Sequence, residues 1–332
     1  MSKTCTDLRR LALNGPTMGT RWSALTYAPA TFDPAPLQAA LQAAVDEVDS
    51  QMSTWRPDSA LMRLNAAPPG AWVPLPARLI EVLACGLEIG RASGGAFDIG
   101  MGDAVAAWGF GPAAADPARI RAAVTAQRRP AQDRLELDRV NLRARKHGPL
   151  QIDLNGIAKG YGVDRLAEVT RSFGLSAALL AIDGELRALG SQPDGSPWPI
   201  AVERPDYDAR AALSLLALQD AAVATSGDYR HWVQVGGRRL SHTMDPRRGG
   251  PLLAPPASVT VVAPSCMLAD AWATALMVLG CEAGATLAAA QGLDALFLIR
   301  DGDALRTVPV GQLFGAQAAA STASASATSS TM

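Results

Sequence analysis

The segment Ser265-Cys-Met-Leu-Ala-Asp-Ala-Trp-Ala-Thr-Ala-Leu-Met-Val-Leu-Gly280 limits what this chain can fold into. Its apolar residues predict a short core helix stopped by Gly280. Asp270 and Thr274 interrupt that surface one helical turn apart, on one face. Buried without partners, such polar groups cost roughly 2–7 kcal/mol each. A fold that buries this helix must therefore supply partners for both. A hard cation such as Mg²⁺ would satisfy the two oxygens and keep coordination places for phosphate. Alternatively, Asp270 caps its own helix and Thr274 bonds back to a carbonyl.

With 332 residues, 48% of them hydrophobic and 18% charged, the chain can bury a large core, as one large domain or about two. A formal net charge of −1 gives no global field toward nucleic acid or an anionic membrane. The Arg-rich stretch from Arg119 to Lys146 is interleaved with Asp133, Glu136 and Asp138, which suits a solvated surface. Cys5, Cys85, Cys266 and Cys281 lack metal-ligand spacing, and with three histidines in all, zinc chemistry is disfavoured. The first ten residues hold no apolar leader region, and no uninterrupted apolar run reads as long enough to span a bilayer. The expectation is a cytoplasmic protein without stable membrane insertion, with a periplasmic location as the alternative were a leader missing from this sequence.

Helical spacing of Leu37, Leu41, Val45 and Val48 predicts a helix over 36–54 capped by Asp33. A second is expected over 79–93, stopped at Gly94-Gly95, and a third opens at Asp116-Pro117. Short strands are expected within 135–154, then a helix over 157–172 closed by Gly174, then strands at 177–182, 232–235 and 258–262. Strands and helices alternate without regular β-α-β spacing, so the expected class is α+β. The end of the chain is Ala, Ser and Thr with little else, which cannot bury enough apolar surface to offset ordering entropy.

Three further segments carry chemistry. Gly94-Gly-Ala-Phe-Asp98, followed by Gly100-Met-Gly102, either lets the backbone approach a ligand or simply stops a helix and turns. Gln151-Ile-Asp-Leu-Asn-Gly-Ile-Ala-Lys-Gly-Tyr161 reads as a strand-to-helix junction whose helix start favours anions, with Lys159 as a point charge for phosphate. A plain Asp153–Lys159 salt bridge is the alternative. Thr225-Ser-Gly-Asp-Tyr229 and Ser241-His-Thr-Met-Asp-Pro246 bracket a predicted hairpin, and His242 is either a base or a packing residue.

Taken in order, these segments resemble the ApbE-like FAD:protein FMN transferases. The resemblance includes Thr17-Met-Gly-Thr20, Met52-Ser-Thr-Trp55, Leu64-Asn65, Trp108-Gly-Phe-Gly111 and Ala269-Asp-Ala-Trp-Ala-Thr-Ala275, and spans about 17–280. It implies a two-lobed α+β fold of mixed and antiparallel sheets flanked by helices, occupying 17–314. A short extension over 1–16 would precede it, and a disordered tail over 315–332 would follow. It also implies Mg²⁺-dependent transfer of FMN from FAD to a threonine or serine hydroxyl of an acceptor flavoprotein, with release of AMP. By that resemblance Met18, Trp55, Ala96, Phe97, Asp98, Asp153, Lys159 and Met244 would line the FAD site. The Gly156 carbonyl, Asp270 and Thr274 would hold the metal, and His242 would take the hydroxyl proton.

This chain departs from the pattern at several points. Asn155 stands where a small residue is usual, Arg248 where threonine is usual, and Ala273 where some members carry aspartate. Asp183-Gly-Glu185 stands in place of Gly-Gly-Asp. Two other functions use the same contacts: an FAD pyrophosphatase, with water as acceptor, and a flavin-storage protein without turnover. The tail makes one simple prediction. Removing Ala316–Met332 leaves melting temperature and activity unchanged, checked by thermal melts of the full and shortened chains.

Overall fold

Met18 and Gly19, with φ of 46° and 72°, turn the chain between β1 (Leu8–Thr17) and β2 (Thr20–Pro29). A two-residue loop with both φ positive matches the twist of antiparallel strands, and glycine adopts it without strain. The computed structural model describes residues 8–207, 211–229, 232–235, 238–302 and 304–315. Strand β1 begins inside the segment expected to be an extension before Thr17. It belongs to the fold because its full length pairs with β2. Of the expected disordered tail over 315–332, Gly315 is described, and the residues from Ala316 on lie outside the described residues.

Next come α1 (Pro34–Met52), α2 (Ala60–Ala66), β3 (Trp72–Pro74), α3 (Ala77–Ala92), α4 (Gly102–Ala107) and α5 (Pro117–Thr125). Asp33 and Asp116 cap α1 and α5 through their carboxylates, as the Asp-Pro signatures predict. Then follow β4 (Leu135–Asp138), β5 (Arg143–Lys146), α6 (Ala158–Ser172), β6 (Ala178–Ile182), β7 (Glu185–Leu189), β8 (Trp198–Glu203) and β9 (Ala212–Leu218). The chain closes with β10 (Ala222–Gly227), β11 (Trp232–Val235), β12 (Arg238–Ser241), β13 (Met244–Asp245), β14 (Gly250–Pro251), β15 (Ser258–Ala263), α7 (Cys266–Ala290), β16 (Asp294–Asp301) and β17 (Ala304–Val310).

The main sheet has eight strands in the order β1-β2-β6-β7-β10-β15-β16-β17. Every neighbouring pair in it is antiparallel. Strand alternation sends Trp22, Ala24, Leu180 and Ile182 to one face, where they bury Leu37, Leu41 and Val45 of α1 and Leu166 of α6. Leu25, Tyr27 and Leu179 point to the other face, against Trp198, Ile200 and Leu216 of the β8–β9 ribbon. A second core joins α2, α3 and α7 around Leu61, Leu83, Phe97, Ile152 and Leu276. The arrangement is the two-lobed α+β fold the sequence implies.

Helix α7 runs farther than the sequence suggests. Gly280 does break it, at φ 76° and ψ −177°, but a helix resumes and continues to Ala290. By length and composition the helix would pass for a membrane span, although Asp270 and Glu282 interrupt its apolar run. Its apolar residues serve the core: Ala269, Ala271, Trp272, Ala273, Ala275, Leu276 and Met277 are buried.

Helices α6 and α7 cross closely at Gly160. A Cβ there would lie 2.3 Å from the Cys266 carbonyl oxygen and 2.8 Å from the Asp270 Cβ. The first obstacle is backbone, so it cannot rotate away. Gly160→Ala is expected to destabilise the fold by about 1–3 kcal/mol, the usual range for overpacking, despite alanine's better helix propensity. Chemical denaturation would read this, and an alanine variant as stable as wild type would refute the close crossing.

Candidate active site

Three contacts tie α6 to α7, and each is one turn from the next. Gly156, just before α6, lies against Thr274, where a Cβ would come 3.0 Å from Thr274 Oγ1. The Gly160 amide donates to Asp270 Oδ2 at 3.0 Å. The Cys266 and Met267 amides donate to the two Asp164 oxygens, both at 2.9 Å. Each step moves four residues on along α6 and four back along α7, so one face of each segment meets the other antiparallel. Asp164 thus caps the start of α7, while Asp270 caps the start of α6. Carboxylates near helix starts accept orphan N–H groups and favour the positive end of the dipole.

This arrangement replaces three of the alternatives the sequence left open. Asp270 does not cap its own helix; Ser265 does, its hydroxyl accepting from Leu268 N–H. Thr274 Oγ1 meets Ser226 Oγ at 3.3 Å on β10 rather than a backbone carbonyl of its own turn. Lys159 is not paired with Asp153. Its ammonium donates to Glu185 Oε1 at 2.7 Å and lies 3.6 Å from Asp183 Oδ2.

The carboxylates here outnumber their cations. Among the described residues, Asp164, Asp183, Glu185 and Asp270 face the cations Lys159 and Arg187, a formal excess of two negative charges. Burial pushes Asp270 up to about 6 and Glu185 up to about 7, against the pull of Lys159. Glu185 Oε2 is buried without a hydrogen-bond partner. An oxygen-rich, dry and over-negative site suits a divalent cation, whose charge offsets that excess. The Gly156 carbonyl, Asp270 and Thr274 are the residues that could hold it, with Ser226 beside them. The first three were legible in the sequence; Ser226 was not, since nothing in its own segment says that β10 lies along α7.

The Asp153 segment is not the end of a sheet strand. Residues 150–154 are an extended loop, clamped by the Asn65 side chain, whose amide donates to the Ile152 carbonyl and whose Oδ1 accepts the Ile152 N–H. The Asp153 N–H donates to the Ile99 carbonyl, and its carboxylate accepts from the Asn155 backbone and side chain. Burial pushes Asp153 up to about 6. Lys146 is buried beneath this loop, donating to the Asn65 and Leu150 carbonyls.

The remaining candidates are distributed around these contacts. Met18 reaches α6, its Cε 3.2 Å from where a Gly162 Cβ would be. Ala96 and Phe97 are core residues, and the Phe97 ring packs beside Gly86 and Gly156, so it shapes the site from behind. Asp98 braces its own loop by accepting from Gly100 and Ala131 amides. Trp55 is 60% exposed and offers an open aromatic face. Met244 is buried with Met101, Ala104 and Ala107, next to Trp108 and Phe110. His242 is half-buried, its ring edge-on to Phe110 with centroids 6.3 Å apart. Ala273 is fully buried in the core, so no carboxylate arises at that position.

The ApbE family profile matches residues 18–297. A Vibrio cholerae FAD:protein FMN transferase is 36% identical over 303 residues, covering 89% of this chain and 89% of that protein. The Escherichia coli K12 FAD:protein FMN transferase is 33% identical over 301 residues, covering 89% and 86%. Among solved structures, the apo flavinyl transferase ApbE of Pseudomonas stutzeri superposes with a TM-score of 0.81 at 37% identity, covering 93% of this chain and 98% of that one. The Vibrio cholerae flavin transferase ApbE gives 0.82 at 33%, covering 93% and 99%.

Burial of Asp153 has a consequence for stability. A carboxyl raised from 3.8 to about 6 stabilises the fold fully only below its unfolded pKa, and that contribution is lost as pH rises through 6. Asp153→Asn removes the ionisation. Its stability relative to wild type should therefore improve between pH 4 and pH 8, by at most about 3 kcal/mol. Denaturation curves at the two pH values test this, and a gap that narrows or stays constant would contradict the burial argument.

Proposed function

The chain belongs to the ApbE family, and from that premise we propose that it is an FAD:protein FMN transferase requiring Mg²⁺. The observation that carries this reading is the meeting of Gly156, Thr274 and Asp270 at the start of α6, beside Lys159. A bound divalent cation would supply Lewis-acid stabilisation of charge on the FAD pyrophosphate. The start of α6 favours the same anion through its dipole, and Lys159 adds a point charge. Asp153 and the Asn65-clamped loop shape the wall of the nucleotide site, while Trp55 and Met18 offer apolar surface to a ring.

In the reaction, an acceptor threonine or serine oxygen forms a new bond to the FMN phosphorus. The anhydride bond to the adenylate half breaks, and AMP leaves with the bonding pair. The hydroxyl proton goes to His242, which Phe110 and the packed Met244 segment hold in place. A positioned base of this kind typically contributes about 10²–10⁴-fold. The acceptor is a flavoprotein segment bearing that hydroxyl.

Intact-mass spectrometry of a threonine-bearing acceptor, incubated with the protein, FAD and Mg²⁺, tests the proposal. One added FMN with matching AMP is expected. AMP with free FMN and an unmodified acceptor would instead establish hydrolysis. Asp270→Ala should abolish Mg²⁺ dependence together with most activity. His242→Ala should bind FAD normally while transfer slows by about 10²–10⁴-fold; loss of FAD binding would assign His242 a structural role.

A further inference from the structure

Strand β7 meets α6 with two charges of opposite sign. Glu185 and Arg187 are two residues apart on one strand and therefore share a face. Each meets its complement on α6: Glu185 accepts from Lys159, and Arg187 pairs with Asp164. Asp183, at the β6–β7 turn, adds a weaker, 41% exposed carboxylate 3.6 Å from Lys159.

Lys159 has a second possible destination. Its neighbour Gly160 donates to Asp270, so the Asp270 carboxylate lies within electrostatic reach of the ammonium. Yet among the described residues Lys159 forms ion pairs with Glu185 and Asp183 and none with Asp270. A lysine is a compact charge on a flexible four-carbon stem, free to swing to whichever anion is strongest. In a site this dry, an ammonium on Asp270 would compete directly with a divalent cation for the same oxygens.

We propose that Glu185 is a positioning residue that holds the Lys159 ammonium on the β6–β7 hairpin and so leaves Asp270 and Thr274 open to a divalent cation. Glu185 is suited to this because it is nearly fully buried, at 3% exposure, and its second oxygen has no other partner. Its attraction for Lys159 is therefore less screened than that of Asp183, which is 41% exposed against 4% for the Glu185 side chain. Arg187 cannot take its place as the competitor, being already engaged by Asp164. The inference rests on the cation reading of Asp270 and explains why this chain keeps a long carboxylate in the Asp183-Gly-Glu185 turn.

Direct Mn²⁺ binding to the FAD-free protein, followed by electron paramagnetic resonance, tests it alongside a crystal structure of the Glu185→Gln variant. Glu185→Gln should weaken Mn²⁺ binding at least about tenfold, the scale of coupling between contacting groups. Glu185→Asp should stay within about threefold of wild type, since the charge is retained. Adding Lys159→Met to Glu185→Gln should restore the affinity, because the competitor is gone. Wild-type binding by Glu185→Gln, or failure of Lys159→Met to restore it, would overturn the proposal; the latter would mean Glu185 serves the cation itself. The crystal structure should show Lys159 Nζ on Asp270, and an ammonium still on the hairpin would overturn it whatever Mn²⁺ does. If wild type and Asp270→Ala bind Mn²⁺ equally poorly, the cation reading fails and overturns the inference with it, whereas a failure of Glu185→Gln alone to weaken binding overturns the inference and leaves that reading standing.

Discussion

Two helix starts lie against each other in this protein, and each supplies the carboxylate that the other needs. Asp164, on α6, takes the first free amides of α7, and Asp270, on α7, takes an amide in the first turn of α6. Orphan N–H groups at a buried helix start are costly, so this exchange is what permits both starts to lie in the core. It also fixes their register. A shift by one residue would lose both caps and drive a side chain into the Gly160 crossing, where no Cβ fits. The sheet, the α1 layer and the clamped loop over 150–154 all pack on helices held in this register.

Placing so many carboxylates together has an electrostatic consequence. Arg187 offsets Asp164, and Lys159 is drawn to Glu185, which leaves negative charge unmatched around Asp270. Burial raises the affinity of Asp270 and Glu185 for protons, against the pull of Lys159, and a divalent cation bound beside them would offset the same formal charge excess. The structural device that orders the helices and the chemical device that would activate a pyrophosphate thus share one residue, Asp270. Function and register cannot be altered independently there.

Packing behind this centre is apolar and exact in volume. Phe97 fills the space between Gly86 and Gly156, and a side chain at either glycine would meet it or its neighbours. The Met244 cluster does a similar task on the far side, seating the segment that carries His242 against α4 and α5. Of the residues that the family resemblance gives to the FAD site, Ala96 and Phe97 are buried in the core and Asp98 accepts backbone amides of its own loop. Motifs record both kinds of role in the same letters, and only burial tells them apart.

Much of the fold was written locally. Asp33 and Asp116 announced their helices and Gly280 its break, because capping and positive φ depend on a residue and its immediate neighbours. The pairing of Asp270 with Thr274 was also legible, since helical periodicity alone puts them on one face. The sequence even held the matching spacing of Gly156, Gly160 and Asp164, but periodicity says which residues share a face and not what that face meets. That Asp270 caps α6 rather than α7, that Lys159 turns to Glu185 instead of Asp153, and that Ser226 sits beside Thr274 required segments distant in sequence to be brought together. Partner choice among buried charges is settled by distance and desolvation, and both exist only once the chain is packed.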